Sequence, residues 1–130
     1  MGLVRGKMSE PSEAQLDEQV TLADAECRRL GLTTVHDAGV GGDTVDRYKR
    51  LIDGGQLRTR LYVMLRMSLD RLQPFLDKGP INNYANHRLA VRAIKIGADG
   101  ALGSRGAALL EPYSDEPGTT GLLTLSLIHI

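Results

Sequence analysis

Residues 31–55, GLTTVHDAGVGGDTVDRYKRLIDGG, decide the fold class. Leu32-Thr-Thr-Val-His36 is short and β-branched, which reads as a buried strand because branched side chains suit a pleated backbone and the run is too short for a helix. Asp37-Ala-Gly-Val-Gly-Gly42 follows as a flexible loop. Asp43 then caps a helix whose apolar positions, Val45, Tyr48, Leu51 and Ile52, keep a helical period until Gly54-Gly55 stops it. Strand, loop and amphipathic helix together make one β/α unit.

The unit repeats on both sides. Upstream, Ser12 and Gln15 form a capping-box signature, and Leu16, Val20, Ala23, Cys27 and Leu30 recur at spacings of four and three until Gly31. Downstream come a strand over Arg60 to Arg66, then a helix opened by Ser68 with Leu69, Leu72, Phe75 and Leu76 on its apolar face. Gly79-Pro80 ends that helix, and after the polar stretch Asn82 to His87 a third strand is expected from Leu89 to Ile96. Strand centres near Thr34, Val63 and Ala93 lie roughly 30 residues apart, the period of a ~250-residue barrel divided among its units. A doubly wound sheet also alternates strand and helix, but its G-x-G-x-x-G fingerprint is absent, and Gly39-Val-Gly41-Gly42 matches it too loosely. The expected fold is therefore α/β: a partial (β/α)8 TIM barrel of about three β/α units over residues 1–124. Three units leave sheet edges unpaired, so truncation at both ends is expected. The tail Leu125–Ile130 is set aside as non-native, since Ser126 to Ile130 read like a translated transposon adapter from DNA library preparation.

Composition narrows the partners. With 42% hydrophobic and 25% charged residues in 130, the chain has the balance of a globular protein with a core. Sixteen Lys+Arg offset sixteen Asp+Glu without a long run of either sign, which argues against nucleic acid and anionic membrane as partners. Cys27 is the one cysteine, so no internal disulfide forms, and its place on a helix face reads as a small buried hydrophobe. No stretch approaches the eighteen or so apolar residues of a membrane span, and Met1 to Lys7 lacks the apolar block of a signal peptide, so a cytoplasmic location is expected.

Chemistry in a parallel barrel gathers at the carboxyl ends of the strands, here His36-Asp37, Arg66 and Lys95 to Arg105. Strict alternation in Val91-Arg-Ala-Ile-Lys-Ile96 puts Val91, Ala93 and Lys95 on one face and Ile94 and Ile96 on the other, with the isoleucines toward the helices and Lys95 toward the interior. An enclosed ammonium group is costly unless paired, deprotonated or chemically changed. Three readings of Lys95 stand open: a carbamate bridging two metal ions, a Schiff-base amine, or an ion-pair partner of Asp37 or Asp99.

Four segments in order, Gly31-Leu-Thr-Thr-Val-His-Asp-Ala-Gly39, Lys95-Ile-Gly-Ala-Asp-Gly-Ala-Leu-Gly-Ser-Arg105, Ala107-Ala-Leu-Leu-Glu-Pro-Tyr113 and Gly118-Thr-Thr-Gly121, resemble amidohydrolase family 3, the YtcJ-like metal-dependent hydrolases of the amidohydrolase superfamily. The resemblance covers residues 12 to 124, and its K-x-x-x-D-G-x-L-G-S-R run is specific. It implies hydrolysis of carbon–nitrogen bonds other than peptide bonds, in a small-molecule substrate, by metal-activated water. It also implies that the present strands are the second, third and fourth of the barrel. Lys95 then corresponds to the fourth-strand lysine, carboxylated in much of the superfamily, and the implied cofactor is a divalent metal, zinc by ligand chemistry. The same resemblance expects a His-x-His pair on the first strand, histidines on the fifth and sixth, and an aspartate on the eighth, whereas this chain has His36, His87 and His129 with no ligand spacing among them.

His36, at a strand end, is a candidate substrate or supporting contact, while His87 reads as surface and His129 lies in the set-aside tail. Asp99 and Arg105 frame a glycine-rich loop in which Arg105 can hold an anionic substrate group; the plainer alternative is a loop closed by Asp99–Arg105 pairing. Two other functions compete with the hydrolase: a barrel lyase or aldolase using Lys95 as its amine, and an inactive fragment with no activity of its own.

Overall fold

The structure, a computed structural model, describes residues 9–125; the expectations for Met1 to Lys7 and for Ser126 to Ile130, His129 included, lie outside them. The chain divides into two compact units, Met1–Lys95 and Ile96–Ile130. In the first, α1 (Glu13–Arg29), β1 (Thr34–Val40), α2 (Gly42–Asp53), β2 (Arg60–Leu65), α3 (Leu69–Lys78), β3 (Ile81–Tyr84) and β4 (Leu89–Ile94) follow one another. The sheet order is β1-β2-β4-β3, with β1, β2 and β4 parallel and β3 antiparallel to β4. No helix among the described residues is long and apolar enough to cross a membrane.

Local chemistry accounts for most of the boundaries. The capping box closes α1: the Gln15 N–H donates to Ser12 Oγ at 3.3 Å, and the Ser12 N–H donates to Gln15 Oε1 at 2.8 Å. β1 runs on through Asp37 to Val40, where a loop was expected, because a bulge absorbs Ala38-Gly39 without ending the ladder. Gly41 consequently caps α2, and Asp43 sits inside the first turn rather than at the cap. Within the expected polar stretch, Ile81–Tyr84 pairs as an extra strand, turning back through Ala85, Asn86 and His87 at φ 48, 57 and 64. His87 is exposed in that turn, its N–H held by Asn83 Oδ1 at 2.6 Å.

One face of the sheet carries the core. Leu61, Val63, Leu65, Leu89 and Val91 are buried with Val45, Tyr48, Leu51 and Ile52 of α2 and Leu72 of α3. The alternate residues of β2, Arg60, Tyr62 and Met64, fall on the opposite face, which is open.

The β2–β4 register departs from simple alternation. Val63 pairs with Val91, but Met64 pairs with Ala93, so β4 carries one extra residue at Arg92. Val91 therefore belongs to the helix-side core, not to the face shared by Ala93 and Lys95. Unbroken alternation from Leu89 and Val91 would have carried Lys95 to the helix side; the bulge returns it to the open face. β4 ends at Ile94, two residues earlier than expected.

In the second unit a 3-10 turn (Leu102–Ser104) and isolated bridges Asp99–Leu123 and Tyr113–Glu116 organise an otherwise irregular chain. Its motif glycines are required by backbone contact: a Cβ on Gly100 would lie 2.6 Å from the Gly106 carbonyl oxygen, and one on Gly121 only 1.9 Å from that of Ala107.

Candidate functional site

The carboxyl ends of β1, β2 and β4 lie side by side. The Arg66 N–H donates to Val40 O at 2.9 Å and the Lys95 N–H to Leu65 O at 2.8 Å, which extends both parallel ladders by one residue. Arg66 and Lys95 are thus neighbours in register, each just past a buried or helix-facing residue, and both are exposed. Gly39 makes room for the arginine stem: a Cβ there would meet Arg66 Cδ at 3.2 Å and Arg66 Cβ at 3.4 Å. Its φ of 148° is a conformation that side-chain-bearing residues rarely adopt, so the β1 bulge and the seat for Arg66 are one feature.

Deeper on the same face, His36 stacks on Tyr62 with ring centroids 4.8 Å apart, and Arg92 lies over the Tyr62 ring at 5.3 Å. The row His36–Tyr62–Arg92 crosses three strands. His36 is therefore aligned by an aromatic neighbour and exposed.

Asp37 points the other way. Tyr48, buried on α2, donates its hydroxyl to Asp37 Oδ2 at 2.5 Å; burial and then this carboxylate push the phenol well above its usual range. Asp37 is consequently not an ion-pair partner of Lys95.

Asp24 went unnoticed in the sequence. It is buried among the apolar positions of α1 and accepts from the Thr59 N–H at 2.7 Å, the Arg58 N–H at 3.1 Å and Arg28 Nε at 2.8 Å. Burial alone would raise its carboxyl, but these donors outweigh that effect and hold it below the ordinary value. It fastens α1 to the chain entering β2. Beside it an apolar cleft of about 320 Å³ is lined by Val20, Ala23, Cys27, Val35 and Leu61, with Cys27 half-buried rather than sealed in.

In the second unit, Asp99 Oδ2 accepts from the Ala108 N–H at 3.0 Å and Arg105 pairs with Asp115 at 2.9 Å. Asp99 and Arg105 are both exposed and are not paired with each other.

Comparison with known proteins follows from this arrangement. A sequence model of the amidohydrolase family, family 3, matches residues 1–127. The chain belongs to the amidohydrolase family. YtcJ of Bacillus subtilis (strain 168), described as an amidohydrolase, is 35% identical over 119 residues, covering 85% of this chain and 21% of the relative. An uncharacterized metal-dependent hydrolase from Pyrococcus furiosus superposes with a TM-score of 0.71 at 25% identity, over 95% of this chain and 25% of that one. Its counterpart from Pyrococcus horikoshii OT3 gives 0.69 at 23% identity, over 86% and 23%. This amidohydrolase chain thus spans between a fifth and a quarter of the length of the relatives it matches. Among its described residues no three His, Cys, Asp or Glu side chains gather into a metal site. Lys95 is an exposed amine free of any salt bridge among the described residues.

Proposed function

We propose that this amidohydrolase segment forms the second to fourth strands of a (β/α)8 barrel in a hydrolase that cleaves carbon–nitrogen bonds other than peptide bonds in small molecules. The carrying observation is the β4 bulge, which returns Lys95 to the open face at the carboxyl end of its strand, next to Arg66. In that position Lys95, carboxylated, contributes one oxygen ligand group to a divalent metal, zinc by preference for such donors, and the other ligands come from the rest of the barrel. The metal supplies polarisation of the scissile carbonyl and an activated water. His36, aligned by Tyr62, contributes to the substrate wall below the metal. The segment by itself is inactive, and the enzyme works in the cytoplasm.

Metal analysis of the full-length enzyme with Lys95→Ala tests this. Loss of bound metal and of at least about a thousandfold in activity is expected, with partial recovery of both on adding a short carboxylic acid that occupies the place of the carbamate. A variant that keeps its metal would overturn the ligand role of Lys95, and a wild-type enzyme trapped by borohydride with a carbonyl substrate would identify Lys95 as a Schiff-base amine and overturn the hydrolase reading.

A further inference from the structure

β4 is gripped on both edges for only part of its length. Along one edge β2 pairs with it from Leu89 to Ile94, whereas on the other β3 meets it at two places, Tyr84 opposite Leu89 and Ile81 opposite Val91. The extra residue of β4, Arg92, comes directly after the last of these double pairings. The bulge thus lies where the second strand lets go.

β3 is fastened to more than its neighbour. Ile81 and Tyr84 pack against the core cluster, the Tyr84 hydroxyl donates to Asp53 Oδ2 of α2 at 2.6 Å, and Lys49 of α2 lies 5.8 Å from the centre of the Tyr84 ring. The turn back into β4 is closed by the Arg88 N–H, which donates to Tyr84 O at 2.9 Å, and by the Arg88 guanidinium, which donates to Arg58 O at the entry to β2. Ala85, Asn86 and His87 all hold left-handed backbone in that turn, a costly run that persists because the contacts on either side over-determine it.

Pinned in this way, Leu89 and Val91 keep their places in the core, since a slip of one residue would carry both to the other face. Beyond Val91 the strand answers to β2 alone, and the surplus residue is taken up there. Every later residue of the strand, Lys95 included, takes its facing from that step.

We infer that β3 is the positioning strand of Lys95, with Tyr84 as its anchoring residue: by holding Leu89 and Val91 from the second edge it sets the bulge at Arg92 and so turns Lys95 to the open face. The use of Lys95 in hydrolysis rests on the reading given above, but the link from Tyr84 to the facing of Lys95 stands on pairing and packing within this chain.

The test reads that facing in the full-length enzyme, stripped of metal and of dissolved carbon dioxide, by brief acetylation with acetic anhydride and mass spectrometry of the peptide that carries Lys95. The wild-type lysine, at a strand end on the barrel side, is expected to label. Ile81→Ser combined with Tyr84→Ser removes both side chains that seat β3, so that β4 runs on in simple alternation and Lys95 turns beneath the helices. Its labelling is expected to fall roughly tenfold, and metal binding to weaken by roughly ten- to a hundredfold, the size of losing a group that orients a ligand. Should the double variant fold poorly, Tyr84→Phe and Asp53→Ala, which release the anchor alone, are expected to lower both readouts in the same direction by a smaller factor with an unchanged circular dichroism spectrum. Labelling and metal affinity that stay at the wild-type level in folded variants of lower unfolding midpoint would show that β3 merely covers an edge, which overturns the inference and leaves the hydrolase reading intact. A wild-type Lys95 that does not label overturns it as well. Labelling that falls as expected in an enzyme that takes up no metal sustains the inference and overturns the hydrolase reading.

Discussion

The α1–α2 corner and the open face of the sheet use the same residue types to opposite ends. At the corner, Arg47, with a side chain only 9% exposed, is held by Glu13 at 2.7 Å and Asp17 at 3.1 Å, Arg50 lies 2.6 Å from Asp17, and Asp24 collects three donors. Each of these charges is answered within the chain, and the result is a fixed joint between helices and strand. On the open face Arg66 and Lys95 are neighbours in register, and neither they nor Arg92 reach a carboxylate among the described residues. Charges matched internally serve stability; those at the strand ends lie where a parallel barrel gathers its chemistry.

Removing Asp24 breaks the corner most severely. Asp24→Ala leaves the buried N–H of Thr59 without an acceptor and frees α1 from the β2 entry, so a loss of about 2–3 kcal/mol in urea unfolding is expected. The pH dependence has a defined sign. Because the folded carboxyl titrates below its ordinary 3.8, its stabilisation is present above that value and lost as pH falls through the folded one. The gap between wild type and Asp24→Asn should therefore be widest near neutrality and close in acid. A gap that widens in acid would show that Asp24 is held protonated.

Tyr48→Phe probes the boundary between the two regions with a smaller effect. The ring keeps its place in the core while the Asp37 carboxylate loses its short hydrogen bond, for a loss of about 1 kcal/mol. If Asp37 then turned toward the open face, it would give Lys95 an internal partner, and metal binding in the full-length enzyme would weaken. Unchanged metal binding with reduced stability is the expected pair of results.

The sequence made the alternation of strands and helices legible because each helix stripe and cap is local: Ser12 with Gln15, the stripe Val45, Tyr48, Leu51, Ile52, and the glycine stops. It located Lys95 at a strand end but not the reason for its facing. Val91, Ala93 and Lys95 alternate as in a regular strand, and a bulge leaves no mark in such a run because it is a property of the pairing with β2. β3 was hidden since Asn82 and Asn83 are poor strand formers, and the pairing of Ile81 and Tyr84 with β4 overrides that preference. Asp24 was obscured by its setting: a carboxylate within a helical stripe reads as solvated unless its donors, 34 and 35 residues away, are known. Gly100 lies in the glycine-rich loop that the sequence offered to a substrate, yet the space it leaves, like that at Gly121, is filled by backbone of the same unit.

The finest test sets the buried ion pairs of the corner against an exposed one in the second unit. Arg105 is 43% exposed on its side chain and paired with Asp115 at 65% exposure, so its ion pair lies largely in water. Such a pair contributes little, and Arg105→Ala should change unfolding free energy by no more than about 0.5 kcal/mol. The αL backbone at Arg105, φ 56, adds a small cost for any residue other than glycine or asparagine, which the alanine shares with the arginine and which therefore cancels. A loss as large as that expected for Asp24→Ala would show that an ion pair lying in water can hold this chain together as firmly as a buried one, and burial would then fail as the reason for the strength of the α1–α2 corner.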